Sequence, residues 1–160
     1  MLNINIICVG KLKETYLKDA VNEYSKRLQK YCNLEITELA DEKLPNKLNP
    51  SLISDIKNKE CNKILQAIHK DSFVFCLDLK GKNFSSEEFS QKIDDIALNS
   101  NSHITFIIGG TLGLNDDVLK IANEKISFSK MTFPHHLIRV FLLEQIFRAF
   151  KISKGETYHW

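Results

Sequence analysis

The chain has 160 residues, of which 43% are hydrophobic and 26% are charged, a composition typical of a globular protein with one domain spanning 1–160. No apolar run approaches the ~20 residues that a membrane helix needs, which argues against a membrane protein. A net charge of +2 supports a nucleic-acid partner only weakly, because domains that bind nucleic acids are often strongly basic.

The four cysteines are scattered and form no C-x-x-C pair; they are Cys8, Cys32, Cys61 and Cys76. This usage favours reduced, buried thiols in a cytoplasmic protein over a disulfide set or a metal site. The apolar start, Met1–Val9, lacks a basic leader and a cleavage site, so we interpret it as a strand and not as a signal peptide.

Alternating or continuous apolar runs predict five strands, Leu2–Val9, Leu34–Leu39, Phe73–Leu79, His103–Ile108 and Ile126–Phe128. Apolar residues at helical spacing predict helices at Thr15–Tyr31, from Pro50 to about Ile68, after Ser85, from Asp116 and from Phe133–His136. Strands and helices therefore alternate along the whole chain. This order predicts an α/β fold, a parallel sheet with helices on both faces.

Local signals predict where several of these elements begin and end. Asn49 before Pro50 is typical of a helix start, and Ser85 with Glu88 has the spacing of a capping box. We expect Lys80–Lys82 to turn the chain after the third strand.

Glycines at 109, 110 and 113 follow a buried strand and precede a helix. Glycine lets the backbone approach a ligand, and open α/β sheets bind ligands at the carboxyl ends of their strands. The pattern is neither the dinucleotide fingerprint nor a Walker loop, which disfavours a nicotinamide or nucleoside-triphosphate site. A tight turn without a ligand remains an alternative.

The last helix carries two pairs of residues at i, i+4 spacing. His135 and Arg139 share one face, as do Glu144 and Arg148. Simpler interpretations remain open, because a histidine can cap the helix and Glu144–Arg148 can be an exposed ion pair of small energetic value. The polar groups gathered near the helix start favour a functional site.

The C-terminal residues Tyr158, His159 and Trp160 follow Lys151 and Lys154. Aromatic rings interleaved with lysines suit RNA, since bases stack on the rings and phosphates meet the cations. A frayed terminus without function is the alternative.

Several motifs, in the same order along nearly the whole chain, resemble those of the SPOUT-class ribosomal RNA large subunit methyltransferase H family. They are Val9-Gly10-Lys11-Leu12-Lys13, Phe106-Ile107-Ile108-Gly109-Gly110-x-x-Gly113-Leu114, Ser127-x-Ser129-x-Met131-Thr132-Phe133-Pro134-His135 and Tyr158-His159. The resemblance implies a homodimer with a C-terminal trefoil knot that binds S-adenosylmethionine. It also implies methylation of N3 of a pseudouridine in helix 69 of 23S rRNA, on the assembled 70S ribosome.

Carried over by motif, the resemblance predicts nine cofactor-binding residues: Leu77, Gly109, Gly110, Phe128, Ser129, Lys130, Met131, Thr132 and Phe133. The resemblance also implies which residues face RNA or take part in catalysis. They are His135, Arg139, Arg148, Tyr158 and His159. Glu144 is expected to orient Arg148. Relatives tend to end in a basic residue where this chain has Trp160, so one phosphate contact is lost or replaced by stacking. We also expect the tail of one subunit to complete the site of the other.

Three other functions stay open from the sequence. They are a catalytically silent RNA-binding protein of the same fold, a flavodoxin-like flavin or nucleotide protein, and a SPOUT enzyme acting on transfer RNA. The loop after the first strand lacks the Ser/Thr-rich phosphate cradle of a flavodoxin, which argues against the flavin or nucleotide protein. The absence of an appended RNA-binding domain argues mildly against a transfer-RNA enzyme.

Overall fold

A computed structural model describes residues 1–99 and 101–158 and contains five strands alternating with five helices. The strands are β1 Leu2–Val9, β2 Cys32–Leu39, β3 Phe73–Asn83, β4 His103–Ile108 and β5 Glu124–Ser127. The helices are α1 Thr15–Leu28, α2 Pro50–Ala67, α3 Ser86–Leu98, α4 Asp116–Ile121 and α5 His135–Ser153. The predicted alternation of strands and helices is confirmed.

The five strands form one parallel sheet with the order β2-β1-β4-β3-β5. Successive residues of a strand point to opposite faces, so Ile6 and Ile7 belong to two different cores. Helices α1, α3 and α5 cover one face, and α2 and α4 cover the other. Helices on both faces explain why β1 and β4 are almost continuously apolar.

The predicted helix starts are confirmed by their hydrogen bonds. Asn49 accepts the Leu52 backbone N–H at 2.9 Å, directly before Pro50 at the first helical position. Ser85 and Glu88 form the reciprocal capping box, with Oγ accepting at 3.0 Å and Oε2 accepting at 2.8 Å. These bonds satisfy N–H groups that the first turn of a helix leaves without partners.

The turn expected at Lys80–Lys82 is wrong. These residues stay within β3, where Leu77 and Lys82 both pair with Ile126 and the residues between them bulge out of the ladder. A Cβ on Gly81 would lie 2.7 Å from the backbone N of Ile126. Because glycine has no side chain, the chain can press against β5 and rejoin the ladder there.

Other boundaries differ from the predictions by a few residues, and strand β2 begins at Cys32 instead of Leu34. Helix α1 ends at Leu28 instead of Tyr31, whose ring stacks on Phe150 at 5.6 Å and whose hydroxyl donates to Glu156 at 2.6 Å. Strand β5 begins at Glu124 and ends at Ser127, so Phe128 lies in the following loop. Long-range packing decides both ends, which local periodicity does not report.

The carboxyl ends of all five strands lie at one edge of the sheet, since the strands are parallel. Gly10, Leu77, Gly109 and Phe128 therefore come from separate parts of the sequence to this edge. Helix α5 starts at the same edge with His135. Among the described residues, no helix is long and apolar enough to cross a membrane.

Candidate active site

A cavity of about 170 Å³ opens between the carboxyl ends of β3, β4 and β5, the loop after β5 and the start of α5. Eight of the nine predicted cofactor residues line it: Leu77, Gly109, Gly110, Phe128, Ser129, Met131, Thr132 and Phe133. The ninth, Lys130, is exposed and does not line the cavity. We call this space the donor cavity.

One wall of the donor cavity is a closely packed turn that contains Gly109, Gly110 and Gly113, which we call the glycine turn. A Cβ on the buried Gly109 would lie 3.0 Å from both the carbonyl carbon of Gly113 and Cδ2 of Leu114. Gly113 has φ +79° and donates its N–H to the Gly110 carbonyl at 3.0 Å. The chain folds back on itself here, which leaves backbone atoms and not side chains at the cavity surface.

The loop after β5 forms the opposite wall and is held by short-range bonds. Ser127 donates its hydroxyl to the Ser129 carbonyl at 2.8 Å, and Ser129 Oγ accepts the Met131 N–H at 3.0 Å. The Phe133 ring packs edge-on against Phe141 at 5.6 Å. These contacts fix the loop although the Met131 side chain is exposed.

The lining of the donor cavity fits a ligand that joins an apolar base to a cation. Its walls are mostly apolar side chains and glycine backbone, with no lysine or arginine among the described lining residues. Asp78 is the acidic side chain of the set and His135 the imidazole. Glycine backbone and apolar side chains can pack against a flat ring, and the Asp78 carboxylate can attract a positively charged group.

His135 lies at the border of the donor cavity at the first position of α5. Burial lowers its pKa below the ordinary 6.5, and the neighbouring His136 and Arg139 lower it further, while Asp41 opposes them. The ring is therefore neutral at pH 7 and can accept a proton. The buried Nε2 of His136 has no hydrogen-bond partner among the described residues.

Arg139 lies deep in the protein with 1% of its surface exposed. Its Nη1 donates to Glu38 at 2.6 Å, and its Nη2 donates to the Gly10 carbonyl at 3.1 Å. This burial does not agree with the RNA-facing role expected for Arg139. The sequence shows the helix face on which Arg139 lies, but not that β1 and β2 cover that face.

Glu144, Arg148 and Tyr158 form a second group, which we call the tail cluster. Arg148 Nε donates to Glu144 at 2.9 Å, and the Tyr158 hydroxyl donates to the same oxygen at 3.2 Å. The Arg148 guanidinium lies 4.7 Å from the centre of the Tyr158 ring. The side chains of the pair are only 24% and 17% exposed, so it is more than an exposed surface ion pair.

Both titratable partners of Glu144 keep their protons at neutral pH. The hydrogen bond to Glu144 raises the pKa of Arg148, and burial, followed by the charge of Glu144, raises that of Tyr158. The tail cluster therefore offers a permanent positive charge and a neutral phenol. His159 and Trp160, for which we predicted roles at RNA, lie outside the described residues.

The tail cluster does not lie at the donor cavity. Arg148 follows His135 by thirteen positions, or about 20 Å along the helix at ~1.5 Å per residue. Glu144 instead lines a second cavity of about 530 Å³, which shares Phe128 and Phe133 with the first. The structure therefore joins His135 to the predicted cofactor residues but separates Arg148 and Tyr158 from them.

Three acidic residues near the site were not singled out from the sequence. Asp78 lines the donor cavity directly after Leu77, a position that the end of a buried strand could have indicated. Glu60 is 5% exposed, holds the Glu42 N–H at 3.1 Å and has a pKa raised by burial. It falls on the inward stripe of α2, which was a usable signal. Glu38 lies on an alternating strand, and nothing in its pattern marks it.

Within residues 1–99 and 101–158, no three His, Cys, Asp or Glu side chains converge in a way that could hold a metal ion. The cysteines in the described part of the chain are free and buried. Burial raises the pKa of Cys8, Cys32 and Cys76 to about 12. These thiols are therefore poor nucleophiles at neutral pH.

Comparisons with known proteins agree with this site. Residues 2–159 match the family described as predicted SPOUT methyltransferase. A protein of Clostridium acetobutylicum named ribosomal RNA large subunit methyltransferase H is 63% identical over 158 residues, which is 99% of each chain. A protein of the same name from Clostridium botulinum (strain Kyoto / Type A2) is 58% identical over the same share.

Solved structures support the fold. A methylase family protein from Neisseria gonorrhoeae superposes with a TM-score of 0.53 at 12% identity, covering 99% of this chain and 87% of that one. A methylase family protein from Haemophilus influenzae gives 0.52 at 10% identity, with 96% and 67% covered. With a match over almost its full length, this chain belongs to the SPOUT methyltransferase family and, within it, to the ribosomal RNA large subunit methyltransferase H group.

Proposed function

We propose that this protein uses S-adenosylmethionine to methylate N3 of a pseudouridine in helix 69 of 23S rRNA on the assembled 70S ribosome. The observation that carries the proposal is the donor cavity, where eight residues predicted for the cofactor meet beside a neutral histidine. The names of close relatives support a ribosomal RNA substrate.

Bound S-adenosylmethionine would supply a methyl group already activated by its sulfonium. The chain's own contribution would first be to hold the donor between the glycine turn and the 128–133 loop. The N3–H of a pseudouridine is largely protonated at neutral pH, so removing that proton assists the reaction. His135, neutral and at the rim, can take it as a general base.

Arg148 would supply a positive charge to the RNA substrate. A guanidinium with a raised pKa stays positive throughout, so it can hold a phosphate or stabilise negative charge on the oxygens of the base. Glu144 keeps the guanidinium oriented through its hydrogen bond. His159 is the alternative general base. If His159→Ala and Arg148→Ala both keep full turnover while losing only RNA affinity, that role for His159 and the charge-stabilising role for Arg148 fail.

The distance between the two groups supports a site shared by two chains. Arg148 lies about 20 Å along α5 from His135, at ~1.5 Å per residue, so one chain does not bring both onto a single base. In a homodimer, the tail cluster of one subunit can face the donor cavity of the other. Exposed apolar side chains near the cavity, Leu79, Met131 and Phe141, support such an interface.

Mixed dimers test the shared site. One subunit would carry Gly109→Val, which closes its donor cavity, and the other would lack residues 158–160. A site shared across the dimer leaves one complete site, so about half of the wild-type rate is expected. A site contained within each chain leaves none, and an inactive mixed dimer would overturn the shared arrangement.

The remaining expectations from the family follow the same proposal. The chain acts as one domain in the cytoplasm, where ribosomes are, and its C-terminal half forms a trefoil knot. An experimental structure of the dimer with bound donor would reveal the chain path.

The decisive experiment is transfer of labelled methyl from S-adenosylmethionine to 70S ribosomes with and without the helix 69 pseudouridines. Label in 23S rRNA only when pseudouridine is present is the expected result. Label in ribosomes that lack the pseudouridines would show that another base is methylated. Absence of label, together with ribosome binding but no donor binding by calorimetry, would identify a catalytically silent RNA-binding protein.

A further inference from the structure

An ion pair between Arg139 and Glu38 joins α5 to the edge strand β2 across the end of β1. The Arg139 side chain is 1% exposed, while the Glu38 side chain is 35% exposed. Their contact of 2.6 Å spans 101 positions of the sequence. Burying a guanidinium carries a large desolvation penalty, which an opposite charge and well-placed hydrogen-bond acceptors must offset.

The pair also fixes the loop that follows β1. Arg139 donates to the Gly10 carbonyl at 3.1 Å, and Glu38 accepts the Leu12 N–H at 3.0 Å with the same oxygen that binds Arg139. The β1–α1 loop is thereby held from two sides. A planar guanidinium suits this geometry because its donors diverge at fixed angles towards two acceptors.

The loop held in this way is the floor under both histidines of α5. A Cβ on Gly10 would lie 3.4 Å from Nε2 of His136 and 3.8 Å from Nε2 of His135. Gly10 has φ +100°, a conformation that favours glycine. Arg139 is one helical turn after His135, so movement of its side chain against β1 and β2 would move both imidazoles.

Glu38 is ionised at neutral pH. Burial pushes the pKa of Glu38 up, but the Leu12 N–H and Arg139 outweigh it, and the pKa is lowered. The Arg139 charge also contributes to the lowered pKa of His135, after burial and His136. Arg139 therefore influences the proton affinity of the rim histidine.

We propose that Arg139 and Glu38 are a positioning pair that sets two histidines over Gly10: His135, which lines the donor cavity, and its neighbour His136. Neither residue contacts substrate in this arrangement. The role of the pair in turnover rests on the proposed methyl transfer, whereas its effect on the two imidazoles does not. Replacing a buried ion pair with apolar or neutral groups of similar volume is often neutral for stability, which allows stability and positioning to be separated.

The test compares Arg139→Met, Glu38→Gln and the double variant with wild-type protein. Arg139→Met alone is expected to lower Tm, because the Gly10 carbonyl and Glu38 lose a partner, and the double variant is expected to recover most of that loss. Turnover of the double variant should nevertheless stay about 10- to 100-fold below wild type, since small misplacement at a reacting centre has effects of that order. Its Kd for S-adenosylmethionine should stay within about twofold, because neither residue lines the cavity. Glu23→Gln, which breaks the exposed pair with Arg27, is the matched control.

A second readout does not depend on activity. Imidazole ¹⁵N–¹H spectra, assigned with His135→Gln and His136→Gln, should shift for these two rings in the double variant and not in Glu23→Gln. Unchanged imidazoles, or shifted imidazoles with wild-type turnover, would overturn the positioning role. Shifted imidazoles in a protein that never methylates ribosomes would uphold the positioning of the rings and reject the proposed function instead.

Discussion

The two halves of helix α5 are built differently. At its start, the partners of Arg139 lie 101 and 129 positions away in the sequence, on β2 and at the end of β1. In its second half, Arg148 binds Glu144 one turn earlier and Tyr158 reaches back from the tail to the same carboxylate. The first half is part of the sheet edge, while the second carries a cluster assembled on one helix.

This difference separates two tasks. The donor cavity needs backbone and side chains from β3, β4, β5 and α5 in one place, and only the whole fold can supply them. The tail cluster needs one helix and a short tail, so it can serve a site on another chain without disturbing its own core. We expect variants in the two halves to give different kinetic signatures.

The largest effect should come from Arg148→Met in the tail cluster. Loss of the cation should reduce methyl transfer at least about 100-fold, as for loss of other groups that stabilise developing charge. Donor affinity should not change, because Arg148 does not line the donor cavity. Calorimetry with S-adenosylmethionine beside ribosome methylation checks this, and Lys59→Met, at an exposed position of α2 on the other face of the sheet, is a control. An equal loss of methyl transfer and of donor affinity would show that the two halves of α5 do not act separately.

Gly109→Ala should give the opposite signature. The new Cβ would lie 3.0 Å from the Gly113 backbone, which cannot rotate away as a side chain can. Overpacking of about 1–3 kcal/mol corresponds to roughly 5- to 150-fold weaker donor binding. Gly155→Ala, where a Cβ meets open space but the φ of +65° strains the backbone, controls for a loss of stability away from the cavity. Unchanged donor affinity would place the donor elsewhere.

A smaller effect is the pH dependence of the stability of the folded protein. The pKa of His135 is lowered in the folded protein, so the unfolded chain binds this proton more tightly. The folded state is therefore favoured fully above the ordinary value of 6.5, and its stability falls as pH drops below that value until the folded-state pKa is passed. Chemical unfolding from pH 8 to pH 5 should reveal the decline, and His135→Gln should flatten it. A wild-type decline retained by His135→Gln would assign it to another group.

The smallest effect should be that of Tyr158→Phe. It removes one hydrogen bond of 3.2 Å to Glu144 but keeps the ring against Arg148 and Phe147. A net value of ~1 kcal/mol for such a bond predicts a change in turnover of about fivefold. Tyr158→Ala should be clearly worse, because the ring contacts go too. If the two variants are equal, the hydroxyl and not the ring is the important group.

Much of the fold was predictable because its signals are local. The capping box at Ser85 and the helix start at Asn49 depend on residues three positions apart, and both are present. Continuous apolar runs identified β1 and β4. The turn predicted at Lys80–Lys82 was wrong because Gly81 permits close contact with β5, a partner more than forty positions away in the sequence.

By itself, the sequence determined the order of strands and helices, the glycine turn and the polar residues 129–132 after the last strand. These depend on periodicity and on short motifs that read the same in any tertiary setting. The tertiary structure alone decided that Arg139 is buried against Glu38 and that His135 and Arg148 lie apart on α5. The physical reason is that helical spacing assigns a residue to a face, whereas the neighbours of that face come from strands elsewhere in the sequence.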